Sequence, residues 1–359
     1  MKIGMFGLPL TGKTTIFSLL AGIPYDNSYK ANADEKISRI QDERLDTLAK
    51  IYNPLRVVYA TLDFVDIPSF DMAADKKEKN KIFQMIQNVD ALLLVLRAFR
   101  NDQIPFPVGA ELPKQQLEAI RTELIIRDLE VVENRLLRLQ EQKRKKRPTP
   151  EEEREEVLLG LIQKELEEGN FASRLQLTNE DKKVLGSLAC FTLKPIITVV
   201  NVDDEHLSAD DFPGKPIILD ECTKQNFAFL TISGKIESEL VELDEEARKE
   251  FMTELGIQKT GIERLAKVVY DHIGYISFFT VGKDEVRSWT LERGATMKMA
   301  AAKIHTDLAR GFIKAEVMKF SDLIRLGSED KVKQAGLWKL AGKEEIVEDG
   351  DIITIRASL

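Results

Sequence analysis

The first fourteen residues restrict this chain more than any later stretch. An apolar run from Ile3 to Phe6 leads into GLPLTGKT (Gly7 to Thr14), and a helical pattern follows at once. This is the G-x-x-x-x-G-K-[ST] loop in its strand–loop–helix context, a cradle for phosphate groups. Gly7 and Gly12 let the backbone turn tightly and leave room for phosphate oxygens against bare amides. The helix N-terminus adds unpaired N–H groups and the positive end of its dipole. Lys13 is expected to reach the β- and γ-phosphates and the Thr14 hydroxyl to ligate Mg²⁺. Leu10, Thr11 and Thr15 complete the candidate phosphate-binding set. The helix reads through Ile16, Phe17, Leu19 and Leu20 and stops at Gly22, with Pro24 beyond.

At 359 residues the chain is long for one core, so two or three domains are expected. Residues 23–55 are polar, with a helix expected over 42–51. Nucleotide switches carry their first switch loop in this interval. Its only threonine, Thr47, falls in a helical pattern, so a switch threonine is missing. Residues 56–67, RVVYATLDFVDI, read as one β-rich run closing on Asp66, a Walker B carboxylate that holds Mg²⁺ through water. Ser69 stands where switch proteins carry glycine, and Phe70 where many GTPases place a water-orienting glutamine. A helix over 75–89 and a nearly all-apolar strand over 91–98 continue the alternation of a parallel sheet buried on both faces.

From 113 to 169 the texture becomes helical and charged, with Leu117, Ile120, Leu124 and Ile125 opening a periodic apolar stripe. Thr149-Pro150-Glu151 starts a second helix, giving a coiled-coil hairpin. Its tip carries Lys143, Arg144, Lys145, Lys146 and Arg147, either a solvated run or an RNA contact. The α/β pattern resumes with strands over 194–201, 215–220 and 227–233 and helices over 237–254 and 261–272. From 275 short strands surround one helix over 295–310, and two last strands flank an Asp349-Gly350 turn. This small α+β domain holds fourteen Lys/Arg against thirteen Asp/Glu, so charge alone does not make it nucleic-acid binding. The expected division is 1–112 and 178–274 for the α/β domain, 113–177 for the helical insertion and 275–359 for the last domain.

Asn201-Val202-Asp203-Asp204 ends a buried strand where GTPases carry N-K-x-D, and Thr231 to Lys235 stands where an S-A-K loop supplies amides to the base. Asn201, Val202, Asp204, Ser233, Gly234 and Lys235 are therefore the candidate base-binding residues; no catalytic residue is assigned. A net charge of −8 argues against nonspecific nucleic-acid binding by the whole surface. Two cysteines, Cys190 and Cys222, offer neither a disulfide framework nor metal spacing. A strand beginning at residue 2 leaves no room for a signal peptide, and no apolar run approaches the roughly 18 residues of a membrane helix. A soluble cytoplasmic protein is expected.

With these motifs in order, the chain resembles the YchF or Obg-like ATPases of the translation-factor class of GTPases. The resemblance runs over essentially the whole length, through ERLDTLA, FVDI, TELIIRDLEVVENRLLRL, PIITVVNVDD, TISGKIESELVELDEE and VEDGDIITIR. It implies an α/β P-loop G-domain, a mostly parallel sheet with helices on both faces. It also implies an inserted coiled-coil hairpin and a C-terminal α+β TGS domain of β-grasp type. Members typically hydrolyse ATP in preference to GTP, carry a hydrophobic residue where Phe70 stands, and are linked to ribosomes. The implied ligands are ATP, or GTP, with Mg²⁺, and the implied partner is the ribosome or its RNA. Two functions follow: a slow NTPase switch, or a hydrolysis-deficient scaffold whose coiled coil and TGS domain bind RNA or protein. The family loop reads close to GLPNVGKST, so Leu10, Thr11 and Thr14 depart from it. Ser69 departs from a family glycine and Asp204 from a family glutamate.

Overall fold

The structure, a computed structural model, describes residues 1–21, 35–40, 42–107, 109–186 and 188–358. Part of the stretch expected to hold a first switch loop lies outside the described residues. Contacts divide the chain into two compact units, residues 1–37 with 63–265 and residues 38–62 with 266–359.

The first unit is built on a sheet ordered Glu35–Arg39, Thr61–Asp66, Lys2–Phe6, Ala91–Arg97, Ile196–Asn201 and Ala228–Ile232. Every pairing from Thr61–Asp66 to Ala228–Ile232 is parallel. Ala91–Arg97 lies at its centre and is buried along its whole length, as a run without polar alternation requires. The helical insertion is the pair Pro113–Lys145 and Pro150–Glu167. The second helix starts on a reciprocal cap: Glu152 N–H donates to Thr149 Oγ1 at 3.2 Å, and Thr149 N–H donates to the Glu152 carboxylate at 2.8 Å. Leu117, Ile120 and Leu124 meet Leu158 and Ile162 in one core that runs on into the sheet through Leu92 and Leu94. Asp128, inside that core, accepts from Phe191 N, Thr192 N and Thr192 Oγ1 at 2.6–2.9 Å. Burial pushes its carboxyl up to about 6 against the pull of those three donors.

The second unit holds a sheet ordered Lys339–Ala341, Phe312–Lys319, Asp351–Ala357, Tyr275–Val281, Glu285–Glu292 and Arg56–Val58. Helix Glu43–Tyr52, capped by Asp42, packs Leu45 and Leu48 against Phe279, Val286 and Met318 in the same unit. Arg44 bonds Asp349 at 2.6 Å, and Tyr52 Oη donates to Glu329 at 2.6 Å.

Five expected elements come out differently. The run 56–67 is two strands in two sheets, Arg56–Val58 beside Glu285–Glu292 and Thr61–Asp66 beside Lys2–Phe6. Residues 215–220 belong to a helix, Lys215–Gln225, with Gly214 at φ 86 before it and a proline in its first turn. Its buried Ile218, Cys222 and Gln225 are spaced four and three apart, a period that the short apolar run PIIL hides. The helix expected over 237–254 breaks at Asp244, whose side chain caps Glu245–Glu254; the one over 295–310 breaks at His305. Among the described residues no strand leads directly into the Asp349-Gly350 turn, since Lys339–Ala341 ends well before it. The Asp349 carboxylate instead takes the Ser277 N–H at 2.8 Å as well as Arg44. No helix among the described residues is long and apolar enough to cross a membrane.

Candidate nucleotide site

Strand Lys2–Phe6 and helix Lys13–Ala21 hold the glycine loop between them. A Cβ on Gly7 would stand 2.7 Å from the Val95 carbonyl, and one on Gly12 would stand 2.2 Å from Asn201 Nδ2. Gly12 also has φ 84, so two independent constraints exclude a side chain there. Thr11 Oγ1 closes the turn by donating to the Leu8 carbonyl at 3.1 Å. Leu10 takes φ 63, a left-handed conformation that a leucine adopts only at a cost.

The loop forms one side of a cleft of about 740 Å³, within the usual range for a small-molecule site. Leu10 to Thr15, Asn201, Val202, Gly234 and Lys235 all line it. Gly7, Asp66, Ser233 and Asp204 are not among its lining residues. Asp66, fully buried at the end of its strand, is ion-paired with Lys13. Burial lowers the Lys13 pKa even though Asp66 favours its charged form. Ser233 is buried and caps helix Gly234–Glu242. Asp204 bonds Ser233 Oγ at 3.3 Å and is ion-paired with Lys235.

Asn201 works as a clasp. Its Nδ2–H donates to the Thr11 carbonyl at 3.1 Å while its Oδ1 accepts from Gly234 N–H at 3.0 Å. Its own carbonyl takes Ala98 N–H at 2.8 Å and Phe99 N–H at 3.2 Å. One residue thus joins the phosphate loop, the Ser233–Lys235 loop and the chain leaving the central strand. Val202, where the N-K-x-D motif has lysine, is buried beside it.

Phe70 lies in the core, its ring 5.7 Å from that of Phe6 and 5.9 Å from that of Phe83. Its N–H donates to the Gly7 carbonyl at 2.9 Å, so it braces the loop through the backbone. Thr47 donates to the Glu43 carbonyl one turn back in its helix. At the hairpin tip all five residues from Lys143 to Arg147 are exposed, Lys143 pairing with Glu156 and Lys146 with Glu152. Sequence reasoning missed the wall formed by Phe99, Arg100, Asn101 and Ile104. The available signal was the arginine ending an otherwise apolar central strand.

Comparison with known proteins agrees with this geometry. A family model whose description reads "YchF-GTPase_C: Protein of unknown function (DUF933)" matches residues 275–358. "Ribosome-binding ATPase YchF" of Haemophilus influenzae is 36% identical over 361 residues, covering 99% of this chain and 98% of that protein. The protein of the same name from Bacillus subtilis is 35% identical, covering 99% of both. The solved structure of the Schizosaccharomyces pombe YchF GTPase superposes with a TM-score of 0.87 at 28% identity, over 99% of this chain and 97% of that one. Identity at this level along the whole length, on the same fold, means that the chain belongs to the YchF family.

Proposed function

We propose that the chain is a cytoplasmic nucleotide switch that binds ATP with Mg²⁺, hydrolyses it slowly and works at the ribosome. The observation that carries the reading is the glycine loop, with Lys13 and Thr14 lining the cleft of about 740 Å³. Its backbone amides and helix N-terminus suit a polyphosphate. Lys13 would exchange Asp66 for phosphate oxygens. The Thr14 hydroxyl and Asp66 carboxylate are the hard oxygen donors that Mg²⁺ takes together with substrate phosphates. Bound there, Mg²⁺ would offset charge on the phosphate groups. The ribosome enters through the relatives' names, ribosome-binding ATPases. Equilibrium binding of labelled ATP and GTP, with and without Mg²⁺, tests the site, and absence of affinity for both nucleotides sinks it.

Adenine is favoured over guanine. Asp204 is already held by Ser233 and Lys235, and Val202 lacks the lysine stem that covers a guanine. Asn201 keeps one N–H and one lone pair beyond its clasp, and adenine can use both. Competition of ATP against GTP on the wild type and on Asp204→Glu decides the matter. A tenfold GTP lead that disappears in the variant would show that Asp204 reads guanine.

One observation supports a non-hydrolysing scaffold instead: Phe70 is buried, so no polar side chain at that position orients water. Single-turnover hydrolysis with and without ribosomes separates the readings. Turnover lost in Lys13→Ala supports the enzyme, and turnover at background supports the scaffold. The exposed run Lys143, Arg144, Lys145, Lys146 and Arg147 supplies the proposed RNA contacts. Reversing their charge should weaken ribosome co-sedimentation and flatten its salt dependence.

A further inference from the structure

Arg97 ends the central strand with no exposed surface, yet no carboxylate among the described residues pairs with it. Its guanidinium donates only to main-chain carbonyls: Nε to Phe99 at 3.1 Å, Nη2 to Ile104 at 2.9 Å, and Nη1 to Pro105 at 2.9 Å and Leu10 at 3.4 Å. The rings of Phe99 and Phe106 cover the same group, with centroids 4.4 and 4.2 Å from Cζ. Three of the gripped carbonyls belong to the irregular segment 99–105, which supplies one wall of the cleft, and the fourth belongs to the phosphate loop. Phe99 also stands close to the loop, since a Cβ built on Gly12 would lie 3.7 Å from its ring.

We propose that Arg97 is a positioning residue for the nucleotide: its planar fork fixes the phosphate loop and the Phe99–Pro105 wall at one separation. The inference rests on reading this cleft as a nucleotide site. A surface ion pair would not need such an arrangement, and a core filler would not need four carbonyl partners. Removing a charge from water without a counter-ion is costly unless its donors are satisfied, and here four of the five are used. The fork and the two stacked rings are features of arginine that lysine cannot reproduce. The charge that burial leaves unbalanced stands directly behind the loop, where it also favours an anionic ligand.

The test measures dissociation constants for ribose-labelled ATP with Mg²⁺ on the full chain, alongside thermal midpoints. Arg97→Met and Arg97→Lys should each weaken binding by about tenfold or more, because ligand groups misplaced by fractions of an ångström lose much of their binding. Failure of lysine to rescue separates positioning from a simple charge effect. Phe106→Ala is the milder probe, since Phe106 touches Arg97 but does not line the cleft. It should weaken binding about threefold, and its effect should shrink in the Arg97→Lys background, as coupled residues require. If the Arg97 variants do not fold, the Phe106→Ala affinity alone decides. Variants that fold and bind ATP as the wild type does overturn the inference, as does wild-type affinity in Arg97→Lys alone. A wild type that binds neither ATP nor GTP overturns the site reading and this inference together.

Discussion

On its phosphate-loop side the cleft is shaped by backbone rules, whereas on its Asn201–Lys235 side it is shaped by side chains holding one another. Gly7 is required because a carbonyl stands 2.7 Å from where its Cβ would be, and Gly12 because its φ is 84. Neither depends on what binds. Opposite them, Asn201 is held by Thr11 and Gly234, and Asp204 by Ser233 and Lys235. The first side can change only with loss of the loop. The second can drift in sequence while its shape persists, as Val202 in place of lysine shows. On the proposed reading phosphate binding and base choice separate in this fold, and substitutions should separate them too.

The largest effect is expected from Lys13→Ala. It removes the ammonium proposed to meet the phosphates and breaks its ion pair with buried Asp66. Affinity for ATP should fall at least about a hundredfold, and stability by about 3–5 kcal/mol, the usual result of breaking a buried pair from one side. Adding Asp66→Asn should restore much of the stability in a denaturant titration but none of the binding. Recovery of binding in the double variant would mean that Lys13 serves only the fold.

Asn201→Ala attacks the seam between the two sides. The Thr11 carbonyl and Gly234 N–H would lose their buried partners, costing about 1–3 kcal/mol. ATP and GTP should both weaken by about tenfold, because the loop moves under either nucleotide. A loss confined to one nucleotide would break the comparison, making Asn201 a base reader rather than a clasp.

How much of this was legible beforehand follows the same division. The glycine loop was readable because steric rules act within eight residues, and Asp66 because it ends a strand one crossover away. The Asn201 clasp was not, since its partners lie 190 and 33 residues away and any Asn-x-x-Asp looks alike in isolation. Arg97 was passed over as part of an apolar strand, because only the folded segment 99–105 gives its fork something to grip. The run RVVYATLDFVDI read as one strand since both halves have strand composition. Only pairing partners more than 200 residues apart, Glu285–Arg287 and Lys2–Met5, reveal that it serves two sheets.

Lys235→Ala should act on the base side alone. It removes one of the two groups that hold Asp204, in a pair exposed enough to contribute little to stability. The thermal midpoint should stay put while the GTP-to-ATP affinity ratio rises a few-fold, roughly what one added carboxylate hydrogen bond can supply. An unchanged ratio in the competition titration would mean that Asp204 does not face the base.

The smallest effect sharpens the comparison from the other side. Leu10 is half exposed, so its side chain buries little, and its φ of 63 charges a β-substituted residue the strain that asparagine tolerates better. Leu10→Asn should therefore stabilise the chain by about 0.5–1 kcal/mol, the size seen when a residue matches its backbone conformation. Its carbonyl still meets Arg97, because that bond belongs to the backbone. ATP affinity should then change by less than about twofold, since the loop keeps its shape whichever side chain it carries. A higher thermal midpoint with unchanged affinity is the signature of a site set by backbone alone. A lower midpoint would show that the Leu10 side chain itself packs against the wall, so that this side of the cleft too is held by side chains.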